Sequence, residues 1–276
     1  MSEAQVVLQA ENLTRSFGPR RVLEGVSIEA CRGEVLAIMG PSGAGKSVLL
    51  KHLIGLLRPE SGTVRVFGRD FWALSGREQR LLRRRYGLAF QEGALFDSMS
   101  VGENVAFPLM QAGHVDPERI RARVAECLSL VQLPGVEHLP TSALSTGMRR
   151  RVGFARAIAL EPEILLFDEP TAGLDPVLVT VMSTLIRELH LKLRATTVVV
   201  THDLSSVRLL ADRVALLFRG RIVTSAPTDA FFALEHPMVR QFVEARAEGP
   251  LTNRDFRTSD APPAPESPDD SGERSR

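Results

Sequence analysis

The 276-residue sequence has little cysteine, little charge imbalance and few aromatic residues. Its two cysteines, Cys31 and Cys127, lie far apart and outside any Cys-x-x-Cys pair, which argues against a disulfide framework and against a zinc site. This cysteine usage fits a reducing cytosol. Because 34 Lys and Arg residues nearly balance 33 Asp and Glu residues, no global field favours nucleic acid or anionic lipid. We therefore expect no nucleic-acid partner.

The sequence also lacks long apolar runs. None approaches the ~18 residues typical of a membrane-spanning helix, and the start lacks the basic-then-apolar order of a signal peptide. A membrane role is therefore expected to depend on another subunit. The hydrophobic share of 44% and the charged share of 24% are those of an ordinary globular protein with a sizeable core.

Strand and helix patterns alternate along most of the chain and predict an α/β fold. From about 94 to 161, apolar residues instead recur at helical intervals without strand-like runs, which indicates an inserted helical subdomain. After 249 the apolar content falls sharply, so we expect residues 261–276 to be disordered. The other expected elements are short strands from about 6 to 28, a buried parallel strand at 34–39, a helix over 45–57, a strand at 164–167, a helix from about 177, a strand at 196–200, a helix near 204–211 and a strand at 214–218.

A phosphate-binding pattern, G-x-x-x-x-G-K-[ST], occupies residues 40–47, after a predicted strand and at the start of a predicted helix. Glycines permit the tight loop, and backbone N–H groups at the helix N-terminus face the phosphates. Lys46 neutralises the outer phosphates, and the Ser47 hydroxyl can ligate Mg²⁺. The predicted nucleotide-binding residues here are Gly40, Pro41, Ser42, Gly43, Ala44, Gly45, Lys46, Ser47 and Val48.

Two adjacent carboxylates end the predicted strand at 164–167. Asp168 is placed to hold Mg²⁺, and Glu169 is a candidate base that polarises the attacking water. Carboxylates at a strand end are usually just solvated, but their pairing with a phosphate loop favours a catalytic role. The sequence thus predicts a site for ATP and Mg²⁺.

The order of motifs from about Val6 to Val243 resembles that of the ABC ATPases. The resemblance implies a P-loop NTPase fold, with a RecA-like mixed-sheet core and an N-terminal antiparallel β-subdomain. The implied domains are an ATPase core over 1–93 and 162–249, a helical subdomain carrying the signature motif over 94–161, and a C-terminal extension over 250–276.

The resemblance also assigns roles to single residues. Gln91 is similar to the Q-loop glutamine, which senses Mg²⁺ and the attacking water, and His202 is similar to the switch histidine. Phe17 resembles the aromatic residue that stacks on adenine, and Asp175 in Gly-Leu-Asp resembles the D-loop aspartate. The implied catalytic residues are Glu169, His202 and Gln91, and the implied metal site consists of Ser47, Gln91 and Asp168. Alone, either the histidine or the phenylalanine would more often be an ordinary surface or core residue.

Residues 144–148, Leu-Ser-Thr-Gly-Met, are similar to the LSGGQ signature. The resemblance implies that this motif begins a helix running to about Leu160 and closes over ATP held by a second copy of the chain. A head-to-tail homodimer around two ATP molecules is therefore expected. The implied contacts with the partner's ATP are made by Ser145, Thr146, Gly147 and Met148.

Two signature residues depart from the family pattern: Thr146 replaces a glycine and Met148 a glutamine. If position 146 required a positive φ, a β-branched residue would be strained there. Slower hydrolysis is the resulting hypothesis.

The segments 91–109 and 235–242 resemble the ATPases of Mla/Mce-type lipid transporters. This resemblance implies integral membrane permease subunits as partners, a Mce/MlaD-like lipid-binding protein in the same complex, and a location on the cytoplasmic face of the inner (plasma) membrane. Two alternatives stay open: another ABC transporter with different cargo, and a soluble ABC ATPase of cofactor assembly or repair. The arginines at 83–85 are most simply a solvated basic face, with lipid headgroup contact as the alternative.

Overall fold

The computed structural model describes residues 5–91, 93–113 and 116–252. The chain divides after Ala233 into two compact units, which are described separately. The disorder expected for 261–276 concerns residues outside the described part of the chain.

The described residues contain ten strands, all in the first unit. They are β1 (Val6–Phe17), β2 (Arg20–Cys31), β3 (Val35–Met39), β4 (Ser61–Val66), β5 (Arg69–Asp70), β6 (Tyr86–Ala89), β7 (Ile164–Asp168), β8 (Thr196–Val200), β9 (Arg213–Phe218) and β10 (Arg221–Pro227).

A six-stranded sheet in the order β10-β9-β3-β8-β7-β6 is the centre of the first unit. Strands β6, β7, β8, β3 and β9 are parallel, and β10 pairs with β9 antiparallel. Both faces are buried: Leu166 packs into one hydrophobic cluster, while its neighbours Leu165 and Phe167 pack into another. Burial on both faces explains why these strands are continuous apolar runs.

A second, antiparallel sheet has the order β2-β1-β4-β5. Its buried residues, among them Leu8, Leu23 and Val64, share one hydrophobic cluster with Leu36 and Ile38 of the central sheet. The antiparallel sheet therefore packs close to the start of the phosphate-binding loop.

Eight α-helices are described in the first unit. They are α1 (Lys46–Leu53), α2 (Gly76–Arg83), α3 (Val101–Gln111), α4 (Pro117–Leu130), α5 (Thr146–Ile158), α6 (Pro176–Leu193), α7 (Leu204–Leu210) and α8 (Thr228–Ala233).

Helices α3, α4 and α5 lie between the two halves of the central sheet in sequence, as the helical pattern at 94–161 predicts. Their buried residues, including Val105, Leu128 and Phe154, join the cluster that covers Phe167 of β7. The ring of Phe154 meets that of Phe167 edge-on at 5.0 Å between centroids. The helical segment thus shares a core with the sheet.

The second unit is described over 234–252 and contains α9 (Pro237–Val243). Its N-terminus is capped by the His236 ring, whose Nδ1 accepts from the Met238 N–H. The buried Gln241 side chain accepts from the Leu251 N–H and donates to Arg246 O, so it holds the segment after the helix.

The strands predicted at 34–39, 164–167, 196–200 and 214–218 are confirmed to within one residue at each end. The interpretation of 83–85 as one solvated face is wrong. Arg83 donates to the Gly55 carbonyl at 2.7 Å, and Arg85 forms a two-bond ion pair with Glu163 at 2.5 and 2.7 Å. Arg84 alone of the three is exposed.

Candidate functional site

The phosphate-binding loop at 40–45 leaves β3 at the carboxyl edge of the central sheet and enters α1. Gly40 has φ 157°, and a Cβ there would lie 2.2 Å from the Leu217 carbonyl oxygen. Gly45 has φ 105°, and its Cβ would lie 2.9 Å from the Val22 carbonyl oxygen. Both positions need glycine because the neighbouring backbone occupies the space of a side chain.

Helix α1 begins without a side-chain cap. Gly45 occupies its N-cap position, and its first turn carries no acidic residue. The first N–H groups of a helix need acceptors and carry a partial positive charge, so this terminus is suited to an anion. The helices α2 to α7 are instead capped by the side chains of Ser75, Ser100, Asp116, Ser145, Asp175 and Asp203.

The buried Lys46 ammonium group lies between the loop and the end of β7. It donates to Gly40 O at 2.8 Å and to Pro41 O at 3.2 Å, and its Nζ lies 3.3 Å from Glu169 Oε1. The other oxygen of Glu169 lies 2.9 Å from His202 Nδ1. Because a carboxylate only accepts, Nδ1 carries the hydrogen in this bond. The structure thus brings together Lys46, Glu169 and His202.

Glu169 has an unusual backbone conformation. Its φ of 48° lies in the left-handed region, which costs a non-glycine residue about 1–3 kcal/mol. Its N–H donates to Val200 O of β8 at 2.8 Å, and its side chain is held by Lys46 and His202. These contacts fix the carboxylate beside the phosphate-binding loop.

Asp168 and Ser47 form the second polar pair of the site, with the Ser47 hydroxyl donating to Asp168 Oδ1 at 3.0 Å. Burial raises the pKa of Asp168, and the nearby Glu169 carboxylate raises it further, while the Ser47 hydrogen bond and Lys46 oppose the shift. A hydroxyl and a buried carboxylate are oxygen donors of the kind that Mg²⁺ prefers. The described residues contain no cluster of three or more His, Cys, Asp or Glu that could hold a metal, so a cation here would take its remaining ligands from phosphate and water.

A cavity of about 460 Å³ lies over the loop, lined in part by Phe17, Lys46, Ser47, Val48 and Glu169. Phe17 ends β1 and is 48% exposed, with the Arg15 guanidinium 4.9 Å from the centroid of its ring. An aromatic face is therefore available at the mouth of the phosphate site.

Gln91 follows β6, which pairs in parallel with β7 so that Ala89 lies opposite Phe167. Its backbone is therefore at the same sheet edge as Asp168 and Glu169. Over the described residues, no hydrogen bond joins the Gln91 side chain to either carboxylate, and the metal set of Ser47, Gln91 and Asp168 stays a prediction.

The signature residues begin α5 and do not line the cavity over the chain's own phosphate loop. Ser145 is the N-cap, and its hydroxyl accepts from the Met148 N–H at 3.3 Å. The hydroxyl hydrogen is left to be donated to another acceptor. Ser145 and Thr146 are exposed, and a Cβ at Gly147 would meet no atom within 4 Å. The terminus of α5 is therefore open to a ligand from outside the protomer.

The premise of strain at Thr146 is wrong. Thr146 is the first residue of α5 and does not have a positive φ. Threonine is tolerated in this helical conformation, so the structure removes the argument for slower hydrolysis. Asp175, the predicted D-loop residue, caps α6 by accepting from the Val177 and Leu178 N–H groups, each at 3.0 Å.

Sequence reasoning missed the contacts of α5 with two loops. Arg150, which is 4% exposed, donates to the carbonyls of Pro170 and Ala172. Arg156 donates to Gly93 O at 2.7 Å and to Ala94 O at 2.9 Å. A run of three arginines in the sequence does not show which of them points inward, so the sequence carried no signal for these contacts.

The fold and the loop geometry define a P-loop NTPase. The family model described as ABC transporter matches residues 23–172, and the chain belongs to this family of ATPases. The probable ribonucleotide transport ATP-binding protein mkl of Mycobacterium leprae (strain TN) is 42% identical over 246 residues, which cover 89% of this chain and 71% of that protein.

Two further relatives extend the comparison. The intermembrane phospholipid transport system ATP-binding protein MlaF of Escherichia coli (strain K12) is 40% identical over 237 residues, covering 86% of this chain and 88% of that protein. A bacterial ABC transporter cassette solved as a dimer is 31% identical, with a TM-score of 0.74, covering 80% of this chain and 98% of that one. The same cassette in a post-hydrolysis state with ADP and Pi gives a TM-score of 0.72. In the part of the chain that the structure describes, no helix has the length and apolar character needed to span a membrane.

Proposed function

We propose that this chain is the ATP-hydrolysing subunit of a transporter, that it works as a homodimer around two ATP molecules, and that it drives an integral membrane permease that moves lipid. The observation that carries the catalytic part is the hydrogen-bonded set of Lys46, Glu169 and His202 beside an uncapped helix N-terminus. The subunit would lie on the cytoplasmic face of the inner membrane, held there by the permease.

In the proposed reaction, the N–H groups of the loop and the ammonium of Lys46 bind the β- and γ-phosphates. Ser47 and Asp168 would hold Mg²⁺, which when bound neutralises charge on the phosphate oxygens. Glu169 accepts a hydrogen bond from the attacking water and orients it towards the γ-phosphate. His202 steadies the Glu169 carboxylate and stabilises charge as it develops. Gln91 links this edge of the sheet to the neighbouring helical segment.

The second ATP contact comes from the partner copy. The exposed Ser145 hydroxyl has a hydrogen to donate, and α5 begins at the exposed Thr146 with the partial positive charge of a helix N-terminus. Together with Gly147, which leaves the surface flat, they suit the γ-phosphate held by the other copy. Asp175, at the start of α6, would lie at the same dimer interface. Phe17 would stack on adenine.

An apolar pocket of about 330 Å³ supports a permease contact. It lies beside Gln91 and is lined in part by Phe90, Phe96 and Phe107, of which Phe90 is 37% and Phe96 41% exposed. Phe96 and Phe107 are 4.8 Å apart between ring centroids. Exposed aromatic side chains around a concavity suit the apolar side of a partner helix.

Lipid is the proposed cargo because the relatives include a phospholipid transport ATP-binding protein and because segments 91–109 and 235–242 resemble that group. The same group suggests a Mce/MlaD-like lipid-binding protein in the complex. The name of the mkl relative favours a second candidate, ribonucleotide transport.

The catalytic proposal is tested by Glu169→Gln. The amide keeps the shape of the carboxylate but is a poor base, so ATP with Mg²⁺ should trap a dimer that does not turn over. Gel filtration with and without ATP measures this, and Lys46→Ala is the control, since it removes the cation that captures the phosphates and should stay monomeric. A Glu169→Gln chain that stays monomeric and hydrolyses ATP normally would overturn both the base and the composite site.

The transport proposal is tested by purifying the tagged chain in mild detergent and analysing its companions. We expect a permease and bound phospholipid, and we expect Phe96→Asp to lose the permease while keeping its ATP affinity. Recovery of no integral membrane protein would contradict the transporter role. A permease complex that binds ribonucleotide and carries no enriched lipid would favour the second candidate.

A further inference from the structure

Helix α5 reaches two different ATP sites in the proposed dimer. Its first residues, next to Ser145, face the ATP of the partner copy. One turn later Arg150 points inward, with 4% of its surface exposed, and contacts the loop that follows the chain's own catalytic carboxylate. Its Nη1 donates to Pro170 O at 3.2 Å, and its Nη2 donates to Ala172 O.

The loop that Arg150 holds runs from Glu169 to Asp175. It is a tight turn in which the Ala172 N–H donates to Glu169 O at 3.2 Å and the Leu174 N–H donates to Thr171 O at 3.2 Å. The buried Thr171 hydroxyl is 3.1 Å from that of Ser206. Glu169 at its start has a φ of 48°, a conformation that persists only where surrounding contacts enforce it.

Arginine suits this position for a physical reason. Its planar guanidinium carries several N–H donors in fixed directions, so one side chain can satisfy two carbonyls of one turn. A lysine could reach one of them as a point charge but would not fix their relative orientation. The two carbonyls, of Pro170 and Ala172, lie on either side of the buried Thr171. The two hydrogen bonds therefore fix the whole turn rather than one end of it.

We propose that Arg150 is a positioning residue that couples the two ATP sites of the dimer: it ties the signature helix, which senses the partner's ATP, to the turn that follows Glu169 at the chain's own ATP. This inference rests on the proposed function. Closure of α5 over one nucleotide is transmitted through Arg150 to the carboxylate at the other. Its loss leaves ATP binding intact and uncouples binding from hydrolysis.

The test compares Arg150→Gln, Arg150→Lys and a control, Arg151→Gln, which removes the same charge one residue along α5 and leaves both hydrogen bonds to the turn in place. For Arg150→Gln we expect the Kd for ATP to stay near that of the control, while the Tm falls because two buried hydrogen bonds are lost. The kcat should fall on the order of 10- to 100-fold, since small displacements of a catalytic group have effects of this size. The Hill coefficient for ATP should fall towards one, and Arg150→Lys should recover part of both.

The dimer is examined separately, by adding each substitution to Glu169→Gln and measuring dimers formed with ATP. Dimers that form normally in the Arg150→Gln background, together with low kcat, support a coupling role. If Glu169→Gln alone forms no dimer, the composite site itself fails, whatever Arg150 does. If Arg150→Gln does not fold, the kcat and the Hill coefficient of Arg150→Lys are compared with those of the control instead. A kcat and a Hill coefficient equal to those of the control in the folded Arg150 variants, or a loss of kcat matched by an equal loss of ATP affinity, would overturn the proposal.

Discussion

Two glycines of the same helix should respond in opposite directions to the same substitution. Gly147 and Gly153 both lie in α5, where replacing glycine by alanine in a helix ordinarily stabilises by up to about 1 kcal/mol. A Cβ at Gly147 meets no atom within 4 Å, so Gly147→Ala should keep this gain. A Cβ at Gly153 would lie 2.9 Å from Gly93 Cα and 3.2 Å from Gly93 O.

The size of the conflict at Gly153 follows from these distances. Carbon atoms pack best at about 3.5–4.0 Å, so the loop carrying Gly93 would have to move by roughly 0.6–1 Å. That loop cannot move freely, because Arg156 donates to Gly93 O and a Cβ at Gly93 itself would lie 2.7 Å from Arg149 O. Overpacking of this kind costs about 1–3 kcal/mol. After the helix gain, Gly153→Ala should be less stable than Gly147→Ala by about 1–3 kcal/mol.

The assay is thermal or urea unfolding of the two variants without nucleotide. For a chain of this size, about 1 kcal/mol corresponds to about 2–4 °C in Tm, so the two variants should differ by several degrees. Leaving nucleotide out matters, since Gly147 lies in the proposed contact with the partner's ATP. Equal stabilisation by both substitutions would show that α5 and the segment after Gln91 do not meet at Gly93 and Gly153, and the reasoning would be refuted.

Substitutions at two other positions test the site. Because burial raises the pKa of Asp168, its carboxyl group stays protonated to a higher pH in the folded chain than in the unfolded chain. The stability that this carboxyl group contributes is therefore lost as the pH rises through its pKa in the folded chain. Asp168→Asn should therefore unfold at a higher urea concentration than wild type near neutral pH, and this difference should shrink below about pH 4. The variant should also lose ATP hydrolysis. If it is less stable than wild type at neutral pH, burial of the Asp168 carboxylate is not what lowers the stability of the wild type. Phe17→Ala should weaken ATP binding by about 1–3 kcal/mol, the usual worth of stacking a base on an aromatic ring, and Phe17→Trp should retain it. Equal Kd values for ATP in isothermal titration of Phe17→Ala and wild type would exclude the stacking role.

Local patterns predicted the core of this fold. The apolar run at 34–39 predicts a buried strand, and the glycine spacing at 40–47 predicts a phosphate-binding loop directly after it. Both patterns are local in sequence, so they could be recognised without the structure. The meeting of Lys46 and Glu169 also follows once two parallel strands are known to end at one sheet edge. The roles predicted for the remaining motifs came from the family resemblance.

Other features depend on distant partners and could not be predicted. Arg150 contacts a turn some twenty residues further along the chain. Gly93 contacts Gly153 although α3 and α4 separate them in sequence, so no local pattern encodes either contact. The same holds for Arg85, whose partner is Glu163. At Thr146 the family pattern itself misled, because a glycine in a motif does not prove that its backbone needs glycine.

The uncapped N-terminus of α1 has a consequence for the stability of the protein. With Gly45 in place of a capping side chain, the first N–H groups of α1 lack a side-chain acceptor, and in the proposed site the phosphates of the nucleotide would supply one. Bound nucleotide would then stabilise the fold. A ligand at about 100 times its Kd adds about 2.7 kcal/mol to the free energy of unfolding. A chain kept without bound ATP or ADP should therefore unfold at a lower temperature and be cleaved more readily by proteases.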